Sequence, residues 1–244
     1  MSEELQEPHT ALEMAEFARV SDWVFDLDNT LYPHHSNLFD QIDKRMTTYV
    51  AQLMQLERVE ARKIQKDYYH RYGTTLRGLM LEHEIDTDAF LEFVHDIDHT
   101  PIEPDPALAA AIKALPGRKY IYTNGSRKHA ENVAARLGII DHFEDIFDIV
   151  AADLEPKPNP GPYHKFFSDT GIDPKNGAMF EDLVKNLRVP KQNGMLTTLI
   201  VPLGARDVLH EEWELEKRKD DPVDYVTDDL TLFLQEILAA IATA

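Results

Sequence analysis

Two aspartates, Asp26 and Asp28, stand two residues apart where the apolar run Trp23-Val24-Phe25 gives way to Asp-Leu-Asp-Asn-Thr. On an extended strand, residues i and i+2 leave towards the same side, so both carboxylates would face one crevice. Such a pair repels, and the simplest relief is a divalent cation. Oxygen ligation suits Mg²⁺, which takes one or two carboxylates together with a phosphate. An Asp- and Asn-rich turn after a strand accounts for the same spacing. An EF-hand loop does not, because Leu31 stands where that loop needs glycine.

Three other short runs carry matching groups. Thr123-Asn124-Gly125-Ser126 follows the apolar run 119–122 and opens a helical pattern, offering a hydroxyl and backbone N–H groups suited to phosphate. Lys157 lies between Pro156 and Pro158, in a stiff loop that would fix one ammonium; taken alone it reads as an exposed loop residue. Glu181 and Asp182 end another apolar run, and Asn186 falls four residues after Asp182, on the same face of the helix that follows.

These runs need elements that bring them together. Residues 23–25, 119–122, 146–150, 178–180 and 196–201 read as buried strands, with 225–226 as a last edge strand. Helical patterns alternate with them: one carrying Ala130, Val133, Ala134 and Leu137, then 163–170, 183–189, and a closing helix with Leu230, Phe233, Leu234 and Ile237. Alternating strands and helices predict an α/β fold with a doubly wound parallel sheet, whose ligands sit at the carboxyl ends of the strands. Residues 1–21 read as an acidic, partly helical leader, and 207–221 as a solvated charged connection.

Between the first strand and the rest lies a purely helical stretch. Leu38, Phe39, Ile42, Met46, Tyr49, Val50 and Leu53 recur at helical steps; Val59, Ile64, Tyr68 and Tyr72 mark a second stripe that stops at Gly73. Leu76, Leu79 and Met80 suggest a third helix. Asp86 would cap a fourth carrying Phe90, Phe93, Val94 and Ile97, before Pro101, Pro104 and Pro106. The expected organisation is a Rossmann-like core of residues 22–33 and 101–244, interrupted by a helical cap of residues 34–100.

The 244 residues include 25 Lys+Arg against 44 Asp+Glu, a formal charge of -19, and no cysteine. The charge opposes contact with a nucleic acid polymer, and the missing thiols exclude disulfides, thiolate zinc sites and cysteine nucleophiles. No apolar stretch approaches the ~20 residues of a membrane span, so a cytoplasmic protein without membrane contact is expected.

Taken jointly, Asp26-Leu-Asp28-Asn-Thr30, Thr123, Lys157, and Glu181-Asp182 with Asn186 resemble the four motifs of the haloacid dehalogenase superfamily. The resemblance runs from residue 23 to about residue 200, and the insert after the first motif resembles that superfamily's helical-cap subclass. Asp28-Asn29-Thr30-Leu31-Tyr32-Pro33, Tyr68-Tyr69 and 72–79 look like the pyrimidine 5′-nucleotidase subgroup, although Glu181 stands where that subgroup often has Asp.

The resemblance implies a Mg²⁺-dependent phosphatase for a small phosphate monoester, foremost a pyrimidine nucleoside 5′-monophosphate. Sugar phosphates or other small metabolites are the alternative substrates, and a non-catalytic binding or scaffold protein of the same fold is the alternative class. It casts Asp26 as nucleophile and Asp28 as acid and then base. Asp26, Asp182 and the Asp28 backbone carbonyl would hold the metal, with Glu181 in or beside its shell. Thr123, the Asn124 amide and Lys157 would hold phosphoryl oxygens, and Asn186 would orient Lys157 or Asp182. Arg77 is the expected cap contact to substrate. His34 and His35 read as a solvated loop, and Tyr68, Tyr69 and Tyr72 as cap core.

Overall fold

The computed structural model describes residues 14–201 and 222–243. Its centre is strand β1, Asp22–Phe25, in which Trp23, Val24 and Phe25 are wholly buried. A strand covered on both faces has no solvated side, which is why this stretch is continuously apolar rather than alternating. Strands β2 (Arg118–Tyr122), β3 (Asp145–Phe147), β4 (Gly177–Glu181), β5 (Leu196–Ile200) and β6 (Tyr225–Thr227) complete a parallel sheet of order β3-β2-β1-β4-β5-β6. The expected α/β doubly wound sheet is therefore present.

Nine helices lie among the described residues: α1 Leu38–Met54, α2 Arg58–Tyr72, α3 Thr75–Glu82, α4 Thr87–His95, α5 Pro106–Ala114, α6 Arg127–Leu137, α7 Pro160–Thr170, α8 Val184–Gln192 and α9 Leu230–Thr243. Successive strand residues point to opposite faces. Trp23, Phe25, Ile121 and Phe180 accordingly join α5, α6 and α9 in one core, while Val24, Tyr120, Tyr122 and Met179 join α7 and α8 in the other. Burying an aromatic or branched side chain contributes roughly 1.5–3 kcal/mol, so these two layers dominate the stability of the sheet.

Helices α1 to α4 form a third cluster built on Ile42, Val50, Tyr68, Leu79, Phe90 and Val94. Their sequence punctuation acts as read: Gly73 takes φ +85° behind α2, and Asp86 accepts the Ala89 N–H at the start of α4. The buried face of α2 differs from the predicted stripe. Ala61, Gln65 and Tyr68 turn inward, whereas Val59 is exposed.

Three further differences have local causes. Strand β3 ends at Phe147 rather than at residue 150, because Asp148 leaves the strand to accept N–H groups from Arg127 and Ala151. Helix α5 arises inside the proline-rich stretch, where Pro106 occupies the first turn and Asp105 accepts the Leu108 N–H. Met14, Phe17 and Val20, at the end of the expected leader, are buried beside Trp23 and Phe233. The charged connection read at 207–221 lies outside the described residues.

Candidate active site

All four chemistry-bearing runs converge at the carboxyl ends of β1, β2 and β4, and of the loop before α7. The chain winds outward from β1 through β2 to β3, then crosses back to β4 on the other side of β1. That reversal opens a crevice between β1 and β4, the position where ligands bind in doubly wound sheets. Asp26 stands on one side of it, its N–H still bonded to Phe180 O, and Glu181 and Asp182 stand on the other.

Lys157 is the hub. Its ammonium is 1% exposed and donates to Asp26 Oδ1 at 2.7 Å, Glu181 Oε1 at 2.9 Å and the Tyr122 carbonyl at 2.9 Å. A buried charge is tolerated only when paired in this way. Burial alone would lower the pKa of this ammonium; Asp26 and Glu181 overcome that and hold it above its ordinary value. The loop is fixed by Asn124, whose Oδ1 accepts the Lys157 N–H at 2.8 Å and whose Nδ2 donates to the Lys157 carbonyl at 3.3 Å. The bland reading of Lys157 as an exposed loop residue is thereby excluded, and the Asn124 side chain holds the lysine loop.

Asp26, Glu181 and Asp182 each offer an oxygen within 4.8 Å of the others. One ammonium does not neutralise three carboxylates. Burial first, then Glu181 and Asp28, push Asp26 up to about 7 against the pull of Lys157. Burial, Glu181 and Asp26 push Asp182 well above the usual carboxylate range. His34 Nε2 reaches to 4.0 Å from Asp182 Oδ2 and so faces these acids, contrary to its reading as solvated loop, while His35 is exposed. Surplus negative charge on clustered hard oxygen donors is the chemistry that fits a small divalent cation.

Glu181 is the most heavily engaged of the acids. Its Oε1 accepts from Lys157 and from Asn186 Nδ2 at 2.5 Å, and its Oε2 accepts the Leu183 N–H at 2.7 Å. Asn186 therefore orients Glu181, not Lys157 or Asp182 as the sequence suggested. It sits in the first turn of α8, from which its side chain is directed back at the strand end.

Asp28 lies apart from this cluster. Its Oδ1 accepts from the Tyr32 hydroxyl at 2.5 Å and from His129 Nε2 at 2.9 Å. Burial would raise its pKa; His129 and Tyr32 outweigh burial and hold it below the ordinary value. Thr123 is buried, with Oγ1 accepting the Gly125 N–H at 2.9 Å, and Thr30 Oγ1 donates to Asp26 Oδ2 at 3.3 Å.

A cavity of ≈ 360 Å³ joins the strand ends to the underside of the helical stretch. Asp26, Asp28, Thr123, Asn124, Lys157, Glu181, Asp182 and Asn186 all border it. Arg77 does not: α3 carries it away from the wall, and its backbone N–H closes the Thr74 cap. Arg62, Lys66 and Tyr69, at steps of four and three along α2, line the wall instead, together with Lys185. Tyr69 faces the cavity and accepts from Lys185 Nζ at 2.6 Å, whereas Tyr68 is buried in the helical core as expected, its hydroxyl 2.9 Å from His83 Nε2. The tyrosine spacing marks the inward face of α2, whereas no sequence pattern marks the cationic face beside it, Arg62 and Lys66.

No helix among the described residues is long and apolar enough to cross a membrane. Phosphate metabolism protein 8 of Saccharomyces cerevisiae is 25% identical over 189 residues, which make up 70% of this chain and 58% of that protein, so the chain spans little more than half of this relative's length. The fold is similar to that of a HAD phosphatase from Thermococcus onnurineus, with TM-score 0.61, 16% identity, and 91% and 99% of the two chains covered. It is also similar to L-2-haloacid dehalogenase from Xanthobacter autotrophicus, with TM-score 0.56, 16% identity, and 88% and 97% covered. A third is HAD-hydrolase YfnB from Bacillus subtilis bound to magnesium, with TM-score 0.55, 15% identity, and 90% and 99% covered. Residues 24–194 match the haloacid dehalogenase-like hydrolase family. That match runs from β1 to the turn before β5 and takes in each of the strand ends that carry the acids and the threonine, so the chain belongs to the haloacid dehalogenase-like hydrolase family.

Proposed function

We propose that this hydrolase is a Mg²⁺-dependent phosphatase acting on a small phosphate monoester, with a nucleoside 5′-monophosphate, pyrimidine first, as its substrate. The observation that carries the reading is Asp28. A second carboxyl, held at the cavity two residues after Asp26, is what an alkoxide leaving group requires, because it must receive a proton. A halide leaves without one, so a dehalogenase has no use for this acid.

In the first step Asp26 attacks phosphorus, the bond from phosphorus to the ester oxygen breaks, and Asp28 gives the departing oxygen a proton. The negative charge of the bound ester raises the proton affinity of Asp28 against the pull of His129 and Tyr32, which keep it ionised until the ester binds. In the second, Asp28 takes a proton from water, which attacks the aspartyl-phosphate and returns Asp26 and inorganic phosphate. Phosphoryl transfer asks for alignment and charge neutralisation more than for a strong base, so a carboxylate suffices as nucleophile. Thr123 and the Asn124 amide take the phosphoryl oxygens not in flight, and Lys157 joins them by exchanging one of its three present acceptors for the phosphoryl group. Asp26, Asp182 and the Asp28 carbonyl would hold Mg²⁺, with Glu181 beside it, since Lys157, Asn186 and the Leu183 amide already occupy its oxygens. The ion would supply neutralisation of the phosphoryl charge.

The cationic wall of α2 and Lys185 replaces Arg77 as the expected recognition surface for the leaving group. A panel of phosphate esters scored for phosphate release, with and without Mg²⁺, tests the reading. Pyrimidine monophosphates should lead the panel and Asp26→Asn should abolish release; sugar phosphates ranking equally would overturn the nucleotide assignment, and no release at all would overturn the phosphatase.

A further inference from the structure

We propose that His129 and Tyr32 form a clamp that aims the proton-donating aspartate, so that one oxygen of Asp28 belongs to the protein and the other to the substrate. The proposal rests on the reading of Asp28 as the acid. Both donors converge on Oδ1, the Tyr32 hydroxyl at 2.5 Å and His129 Nε2 at 2.9 Å. Among the described residues no donor reaches Oδ2, although Asp28 borders the cavity.

A carboxyl turns easily about its terminal torsion, where rotamer wells are broad. Two donors on the same oxygen remove that freedom, since turning the group would break both bonds at once. A single donor would leave the group able to swivel about it. Oδ2 is then the atom that carries the proton to the ester oxygen in the first step and whose lone pair accepts a proton from the attacking water in the second.

The clamp is itself braced. His129 is wholly buried in the first turn of α6, behind the Ser126 cap. Its ring lies against His95 with centroids 4.7 Å apart and planes 14° apart, and His99 packs at 5.7 Å. His95 is in turn fixed by Nδ1, 2.9 Å from the Leu91 carbonyl and 3.1 Å from Ser126 Oγ. Tyr32 is 1% exposed and four residues beyond Asp28 on the same turn. His95 is the last residue of α4, so the helical stretch reaches the acid through a stacked pair of imidazoles. His129 is a positioning residue: it touches Asp28 and not the reacting atoms.

The test compares His129→Leu with His129→Gln, which keeps an N–H donor of similar reach, and with Tyr32→Phe. The readout is kcat/KM for two esters. p-Nitrophenyl phosphate has a leaving group that departs with little protonation; a nucleoside 5′-monophosphate releases an alkoxide that needs it. General acid catalysis contributes on the order of 10²–10⁴-fold, so His129→Leu should lose about 100-fold or more with the nucleotide and under about tenfold with the aryl ester. His129→Gln should recover most of the loss, and Tyr32→Phe should show the same split. Equal losses for both esters would mean a structural role only and would overturn the clamp. Crystal structures of the two His129 variants give an answer independent of turnover: the Asp28 carboxyl should swing away from its place in the leucine variant and stay in the glutamine variant. An unmoved carboxyl in both overturns the proposal even if neither ester is a substrate, whereas a wild type inert to both esters overturns the phosphatase reading instead.

Discussion

Replacing Asp26 with Asn should make the metal-free protein more stable at pH 8, although it removes the proposed nucleophile. Asp26 is buried beside Glu181 and Asp28, and its pKa rises from 3.8 to about 7. Between those values the folded protein keeps a proton that the unfolded chain gives up. Stability therefore falls as pH rises through this window: the cost of ionising Asp26 in the folded protein is absent below about 4 and fully felt above about 7. At 1.36 kcal/mol per pH unit the displacement corresponds to about 4 kcal/mol. Asn keeps a carbonyl oxygen for Lys157 Nζ, so the 2.7 Å contact survives while the titration does not. Asp182 is raised in part by Asp26, and its carboxyl should fall in the variant, adding in the same direction. Urea unfolding in chelator at pH 5 and pH 8 measures the effect: the wild type should lose several kcal/mol relative to Asp26→Asn across that range, and Mg²⁺ at pH 8 should restore the wild type more than the variant. Parallel pH profiles for the two proteins would refute the claim that uncompensated carboxylates strain this site.

Lys157→Met should cost about 3–5 kcal/mol in chelator, because it strips the partner from Asp26 and Glu181 in a buried setting, and calorimetry should show the loss shrinking when Mg²⁺ is added. Arg77→Ala should leave KM for the best ester within about twofold, whereas Lys66→Ala, on the cavity wall, should raise it by about tenfold, a difference read from initial rates. Gly78→Ala should destabilise the protein by about 1–3 kcal/mol in thermal unfolding, because a methyl there would meet Tyr68 Cβ at 2.4 Å in the packing between α2 and α3.

What was legible in the chain followed from local rules. Buried strands announce themselves as apolar runs that stop in polar residues, and three of the four chemistry-bearing runs lie at such a stop, Lys157 alone lying in a loop between elements. Gly73, Gly138 and Asp86 mark helix ends because their backbone or side-chain chemistry acts within a few residues. What escaped depends on distance along the chain. His129 meets Asp28 across 101 residues, and nothing in either neighbourhood announces the pairing. Asn186 was read through its spacing to Asp182, but the geometry of a helix start aims it at Glu181. Arg77 stands out only by its neighbours in sequence; a one-residue difference in helical phase decides which residues reach a cavity, and the lining face of α2 carries Arg62, Lys66 and Tyr69. Helix α5 escaped because prolines read as breaks, although proline in a first turn is a start signal.

The same cavity wall would reconcile the overall charge of -19 with the anionic substrate proposed above. Charges beyond ~8 Å are largely screened at physiological salt, so the surface acids count for little at the strand ends. Within the cavity, Asp43 draws Arg62 at 2.5 Å and Lys66 at 3.2 Å towards one point, and Gln65 Nε2 donates to it at 2.7 Å. Burial would raise the Asp43 pKa; Arg62 and Lys66 outweigh burial and keep it below the usual range. One buried carboxylate thus holds two cations on the wall opposite the strand-end acids. A phosphate ester entering this cavity would meet Lys157 and the clustered acids at one end and these cations at the other, while the acidic exterior turns away long polyanions. On the proposed reading the division of labour is spatial: the sheet would supply the reacting carboxylates, and the helical stretch the positive charge that offsets an anionic substrate beside them.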